Sequence, residues 1–206
     1  MFIAVRASED QKKEFLQKGI APELEVIFFA IGEPIHVSKE PDAVFDFTES
    51  NNYMEEFPSH IPVFKNAVIS TLEHFPKNFI RMNAWPGFIC RDIMEVAFHD
   101  EMKEKVASIM NALSWKYLQV PDIPGLIAAR IICMIINEAW YALDDQVSTK
   151  TEIDTAMKLG TNYPFGPFEW GDKIGLHQVV TLLNKLSEND PRYLPSSLLL
   201  KASLNA

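Results

Sequence analysis

The stretch from Val120 to Leu176 constrains the fold of this chain more than any other part of the sequence. It contains a long, almost continuous apolar run, a segment that begins with the pattern Thr149-x-x-Glu152, and a turn rich in glycine and proline. A helix that is apolar on nearly every face must be covered on all sides, in a core or in a subunit interface. The Thr-x-x-Glu pattern is a capping box and predicts a second helix, with Gly160 as its left-handed C-cap. We therefore expect a helical region that buries its surface against a partner.

The residues before this stretch predict an α/β layer. Apolar segments typical of strands cover residues 2–5, 24–30, 43–49, 63–69 and 79–86, and the last of these is the final predicted strand. Helical patterns lie between them and over residues 100–117, and the polar residues 51–59 predict a loop. Alternating apolar strands and helices favour a parallel sheet covered on both faces. We predict a reduced Rossmann-like domain over residues 1–119 and a helical domain over residues 120–206.

The turn after the first strand lacks the pattern of a dinucleotide site. A pyrophosphate site needs a Gly-x-Gly-x-x-Gly turn, so that the backbone can approach the phosphates at a helix N-terminus. The turn here is Arg6-Ala7-Ser8-Glu9-Asp10, and no two glycines in the chain form a Gly-x-Gly pair. Ser8 to Gln11 forms a capping box instead, and the two carboxylates would repel a diphosphate. The sequence therefore disfavours conventional NAD binding, and no cofactor is predicted.

The second half of the chain contains an ordered series of motifs. They are Pro124-Gly125-Leu126-Ile127, Arg130, Asn137-Glu138-Ala139, Ile153-Asp154-Thr155-Ala156-Met157-Lys158-Leu159-Gly160 and Tyr163 to Leu176. In this order and at these gaps they resemble the C-terminal domain of the 3-hydroxyacyl-CoA dehydrogenases, and the resemblance is weaker over residues 40–119. It implies an α/β plus all-α fold, with a shortened Rossmann-like parallel sheet followed by a helical dimerisation domain like that of 6-phosphogluconate dehydrogenase.

The resemblance also implies where a catalytic site would lie. In the family a histidine acts as general base on the substrate hydroxyl, and a glutamate orients it. The glutamate corresponds to Glu95, and the histidine corresponds to Asn83 in an ungapped comparison or to Met82 when Pro86 is aligned. Neither side chain accepts a proton near neutral pH. An asparagine that assists the family's chemistry corresponds to Ala129, so the base and a carbonyl donor are both missing.

Alternatives remain open for the residues around this position. Asn83 and Trp85 could bind the substrate by hydrogen bonding and stacking, or Trp85 could pack under Phe88 as part of the core. Glu95 could be a structural carboxylate. His99, one helical turn after Glu95, could replace the missing base, or it could be a solvated histidine at the start of a helix.

Composition limits the partners. The 206 residues are 48% hydrophobic, which is enough for a core, and the formal charge of -9 argues against nucleic acid. Cys90 and Cys133 lack framework spacing and are expected to be reduced thiols of a cytoplasmic protein. No signal-peptide pattern follows Met1, and residues 126–143 are too short and too polar for a membrane span. No cluster has metal-ligand spacing.

Taken together, these features predict a cytoplasmic homodimer, formed through the C-terminal domain, that binds an acyl-CoA or related thioester with weak or no NAD-dependent dehydrogenase activity. One alternative is an active 3-hydroxybutyryl-CoA dehydrogenase that has rebuilt its site or takes a nucleotide domain from another chain. A second alternative is a structural homodimer without a small ligand.

Overall fold

The computed structural model describes residues 1–49 and 57–205. It divides into two compact units, Met1–Leu126 and Ile127–Ala206. The division falls a few residues beyond the boundary proposed from the sequence. Most of the predicted loop at residues 51–59 lies outside the described residues.

The first unit is built on a seven-stranded sheet with the strand order β2-β1-β3-β4-β5-β6-β7. Its elements are β1 (Phe2–Ala7), α1 (Glu9–Gln17), β2 (Glu25–Ala30), β3 (Ala43–Asp46), β4 (Val63–Asn66), β5 (Phe79–Met82), β6 (Ile93–Ala97), α2 (Lys103–Ala112) and β7 (Lys116–Gln119). All neighbouring strands are parallel except β5 and β6, which are antiparallel. The parallel part, β2-β1-β3-β4-β5, has one strand fewer than the six-stranded dinucleotide-binding arrangement. This confirms the predicted Rossmann-like α/β class.

Two strands, β6 and β7, were not expected, because the sequence placed the last strand at residues 79–86. The predicted helix over residues 100–117 begins at Asp100 with a 3-10 turn, Asp100–Met102, but its C-terminal end was wrong, because the α-helical part ends at Ala112. Ser114 has a left-handed backbone with a φ of 57°, which a helix cannot continue through. The chain therefore turns at Ser114 and enters β7.

Both faces of the sheet carry a buried apolar cluster. On one face, Phe15 of α1 packs edge-on against Trp115 at 4.7 Å, and Phe45 stacks on Phe64 at 4.4 Å between ring centroids. The other face carries a smaller cluster that includes Val44. Alternate residues of each strand therefore contribute to opposite faces, as expected for a sheet buried on both sides.

The second unit is entirely helical, as predicted. Its α-helices are α3 (Ala128–Asp144), α4 (Lys150–Thr161), α5 (Pro167–Ile174), α6 (Leu176–Ser187) and α7 (Ser197–Ser203). The helix α3 contacts α5, α6 and α7. Among the described residues, no helix combines the length and apolar character needed to cross a bilayer.

One expectation about these helices needs correction. The C-cap of α4 is Asn162, with a φ of 55°, and Gly160 lies within the helix. Asparagine tolerates the left-handed conformation better than most residues, so it can end a helix in this way. At the start of α3, the N-cap residue Ile127 and the helical residue Ile131 are 41% and 51% exposed, so the predicted coverage of this helix in a core or a subunit interface stays a prediction.

Candidate functional site

The candidate nucleotide site is the point where the strand order reverses, at the carboxyl ends of β1 and β3. Ligands of open α/β sheets bind in the crevice at this switch point. Here the position holds a buried network of charged side chains. Arg6 donates to both carboxylate oxygens of Asp46, at 3.1 and 2.7 Å, and Lys65 donates to the same carboxylate at 2.7 Å. Lys65 also donates to the hydroxyl of Thr48 at 2.6 Å.

The three charged side chains of this network are almost inaccessible to solvent. Arg6, Lys65 and Asp46 are 1%, 0% and 3% exposed. Burial alone would raise the pKa of Asp46, but the hydrogen bond from Arg6 and the charge of Lys65 outweigh it and lower that pKa below its usual value. Burial lowers the pKa of Lys65, although Asp46 opposes the change. The carboxylate is therefore ionised at neutral pH and is held by the protein's own cations.

The N-terminus of α1, where a diphosphate would bind, is closed by its own capping box. The Ser8 N–H donates to Gln11 Oε1 at 2.9 Å, and the Gln11 N–H donates to Ser8 Oγ at 3.2 Å. The Gln11 amide also donates to the carbonyls of Phe47 and Ala84. Two acidic residues, Glu9 and Asp10, occupy the first helical turn. Because the capping box uses the N–H groups of Ser8 and Gln11 and the added charge is negative, these residues do not fit a dinucleotide diphosphate.

Asn83 follows β5 directly, one residue beyond its last printed pair with β6. The antiparallel register pairs Arg81 with Ala97 and Met82 with Val96, so Asn83 and Glu95 are the next facing positions. The Asn83 Oδ1 accepts the N–H of Trp85 at 3.1 Å. Its Nδ2 is buried and has no hydrogen-bond partner among the described residues. Whether Asn83 or Met82 corresponds to the family's base therefore stays a prediction.

The other predicted site residues are either buried or lie in a different element from the one expected. Met82 is fully buried within β5, and Trp85 is buried with its ring 6.5 Å from that of Phe88 in an edge-on contact. Trp85 thus occupies the position of a core residue, and its ring is not open for stacking on a ligand. Glu95 is half-buried in β6, a strand, so His99 is not one helical turn away from it. His99 instead precedes the 3-10 turn Asp100–Met102.

Sequence reasoning missed two further buried polar anchors. Glu14 of α1 accepts the N–H groups of Gly87 and Ile89, at 2.6 and 3.2 Å, and so fixes the loop that follows Asn83. Arg81 is fully buried and donates to the carbonyls of residues 67, 68 and 123, and it also pairs with Asp122. The signal for Arg81 is a charged residue inside an otherwise apolar strand pattern, whereas Glu14 lies in α1 and gives no such signal. Within the described ranges, no group of histidine, cysteine or acidic residues could hold a metal ion.

Motif residues of the second unit make structural contacts. Asn137 of α3 accepts the Ser196 N–H at 2.8 Å and donates to the Leu194 carbonyl at 2.9 Å. Asp154 of α4 accepts the N–H groups of Phe168 and Glu169, at 2.8 and 3.3 Å, at the start of α5. Ala129 is fully buried. These motifs therefore hold the helices together.

Comparison with known proteins identifies relatives of the chain. Residues 125–205 match the family model "3-hydroxyacyl-CoA dehydrogenase, C-terminal domain". The chain is 45% identical to the 3-hydroxyadipyl-CoA dehydrogenase of Escherichia coli over 89 residues, which is 42% of this chain and 19% of that protein. It is 30% identical to a probable 3-hydroxybutyryl-CoA dehydrogenase of Deinococcus radiodurans over 149 residues, which is 69% of this chain and 52% of that protein. The matched segments thus span about half of the second relative and less of the first.

A solved structure supports the same fold over nearly the whole chain. The (S)-3-hydroxybutyryl-CoA dehydrogenase of Ralstonia eutropha superimposes with a TM-score of 0.75 over 99% of this chain and 93% of that chain. The sequence identity is 18%, so this likeness concerns the fold alone.

Proposed function

We propose, on the premise that residues 125–205 belong to the 3-hydroxyacyl-CoA dehydrogenase family, that the chain binds an acyl-CoA-type thioester and has weak or no NAD-dependent dehydrogenase activity. The observation that carries the proposal is the network at the switch point. Arg6, Asp46 and Lys65 fill it with internal ion pairs, and the capping box of α1 uses the amide donors beside it.

The residue that faces Glu95 supports the second part of this proposal. A general base must take a proton within hydrogen-bond reach of the substrate, and its side chain must be basic near the working pH. The amide of Asn83 is not basic. Loss of a positioned base alone costs about 10²- to 10⁴-fold in rate. Together with a closed cofactor site, this leaves binding of the thioester as the remaining family property.

The proposal is tested by measuring binding and turnover separately. We expect acetyl-CoA or acetoacetyl-CoA to raise the melting temperature, because a ligand that binds only the folded state must stabilise it. We expect NADH fluorescence to be unchanged by the protein, and NADH to be oxidised no faster with acetoacetyl-CoA than in buffer. NADH oxidation that disappears in Glu95→Gln would instead establish an active enzyme with a rebuilt site. If neither thioester shifts the melting temperature, the structural alternative holds.

A histidine restored at the position of the base separates the effect of the missing base from the effect of the closed cofactor site. The substitution Asn83→His puts an imidazole at the position that faces Glu95 if the register of β5 and β6 continues by one residue. We expect this variant to show no NADH-dependent turnover of acetoacetyl-CoA, because the N-terminus of α1 remains closed to a diphosphate. The measurement is NADH absorbance under saturating thioester, with Asn83→Gln as the control. Turnover in Asn83→His but not in the control would mean that the cofactor binds despite the capping box.

The exposed apolar residues at the start of α3, which are its N-cap Ile127 and Ile131, support an assembly proposal. Ile127 and Ile131 lie four positions apart and therefore on the same side of the helix. We propose that this side lies in a homodimer formed through the second unit, and that the protein works in the cytoplasm, in line with the lack of disulfide-framework spacing between Cys90 and Cys133 in the sequence.

A further inference from the structure

Two arginines of the second unit converge on one tyrosine hydroxyl. Arg130 of α3 donates from Nε to the Tyr193 Oη at 2.8 Å, and Arg192 donates from Nη2 to the same oxygen at 2.6 Å. Both guanidinium groups also lie against the Tyr193 ring, 4.8 and 4.7 Å from its centroid. The Tyr193 side chain is buried, so this arrangement has a fixed centre.

The hydrogen-bonding capacity at this point is unbalanced. A phenol oxygen has two lone pairs and one hydrogen, and both lone pairs are used by the arginines. The Tyr193 hydroxyl is therefore left with a hydrogen to donate. Arg130 uses only its Nε, and neither of its terminal nitrogens has an acceptor among the described residues. Three groups thus present N–H and O–H donors around the Tyr193 hydroxyl, and the acceptor beside them is the Asp190 carboxylate, which pairs with Arg192.

The charge at the same point is also unbalanced. Asp190 pairs with Arg192, with Oδ2 2.9 Å from Nε. Within the described part of the chain, Arg130 has no carboxylate within ion-pair distance. Two guanidinium groups that share one hydroxyl repel each other, and a bound anion would remove this repulsion. Arginine is the side chain best suited to bind phosphate, because its planar donors match two oxygens at once.

We propose that Arg130, Arg192 and Tyr193 form a binding site for a phosphate group, and that the phosphate is one of those of the acyl-CoA ligand. The second half of this assignment depends on the proposed function. The first half depends only on the converging donors and the uncompensated charge. A carboxylate from a partner subunit is the competing occupant, and the experiment separates it.

The test is calorimetric titration of the full chain at low ionic strength with inorganic pyrophosphate, acetyl-CoA and S-acetylpantetheine, which lacks the phosphates. The variants are Arg130→Gln and Arg192→Gln. The control is Lys201→Gln, which removes one positive charge from an exposed position of α7. We expect each arginine substitution to weaken the affinity for pyrophosphate and for acetyl-CoA by roughly tenfold to a hundredfold, which is the range for a charge-assisted hydrogen bond. The control should change these affinities by about twofold or less. The affinity for S-acetylpantetheine should be the same in the wild type and in all three variants.

Each result decides one question. Equal pyrophosphate affinity in the wild type and in Arg192→Gln overturns the site, and this variant is informative even if Arg130→Gln does not fold, because the Arg192 side chain is 65% exposed. Pyrophosphate binding that depends on both arginines, without any binding of acetyl-CoA, keeps the anion site and rejects the proposed function. If acetyl-CoA binds both arginine variants as tightly as the wild type, the proposed function stands and the phosphate site is rejected. Loss of a dimer in sedimentation velocity with unchanged pyrophosphate affinity assigns the arginines to a partner carboxylate and also rejects the site.

Discussion

Asp46→Ala is expected to lower the free energy of unfolding by about 3–5 kcal/mol, the usual cost of removing one partner from a buried ion pair. The carboxylate is the shared acceptor of Arg6 and Lys65, and both cations are buried. Without it, two like charges stay in the core beside each other. Urea unfolding at pH 7 measures the effect. Glu101→Ala is the matched control, since it removes an exposed pair with Lys77, and it should cost about 1 kcal/mol or less.

The effect of Asp46→Ala should also depend on pH. The folded-state pKa of Asp46 is lowered, so the carboxylate stabilises the protein fully above its unfolded pKa of about 4. This contribution is lost as the pH falls from that value through the folded pKa. The difference in the free energy of unfolding between the wild type and Asp46→Ala should therefore become smaller below about pH 4. A gap of the same size at pH 7 and pH 3 would show that the carboxylate acts through packing and not through its charge.

This network shows why part of the site could not be predicted from the sequence. Asp46 and Lys65 lie within segments that the pattern assigned to strands, and Arg6 lies directly after one. A charge inside an apolar strand indicates a buried partner, but the sequence does not say which partner. Arg6 and Asp46 are 40 residues apart and meet only because β1 and β3 are neighbours in the sheet. Strand order is a non-local property that local patterns do not fix.

Features that depend on neighbouring residues were predicted more accurately. Both capping boxes, Ser8 with Gln11 and Thr149 with Glu152, form as expected, because their partners are three residues apart. The absence of a phosphate turn was also visible, since it concerns five consecutive residues. The strands β6 and β7 were missed because neither has an uninterrupted apolar run, although Met94 and Val96 of β6 are buried in the core. Glu95 interrupts the first, and three of the four residues of the second are exposed.

Gly166→Ala is expected to destabilise the second unit by about 2–4 kcal/mol, through overpacking and through loss of a helix cap. The φ of Gly166 is -73°, so the backbone accepts any residue and the effect is purely steric. A Cβ there would lie 2.3 Å from Asp154 Oδ1 and 2.4 Å from Asp154 Cβ. Asp154 would have to move, and its bonds to the N–H groups of Phe168 and Glu169 at the start of α5 would break.

The chain provides a control for this prediction in Gly160, where the same substitution should have the opposite sign. Gly160 lies within α4, and a Cβ at this position meets no atom within 4 Å. Gly160→Ala should therefore raise stability by about 0.5–1 kcal/mol, the gain in helix propensity. Asp154→Gly removes the clashing Cβ, so Gly166→Ala should cost far less in that background than in the wild type. If Gly166→Ala costs as much in the Asp154→Gly background as in the wild type, the close approach of α4 to the start of α5 is not what requires glycine at this position.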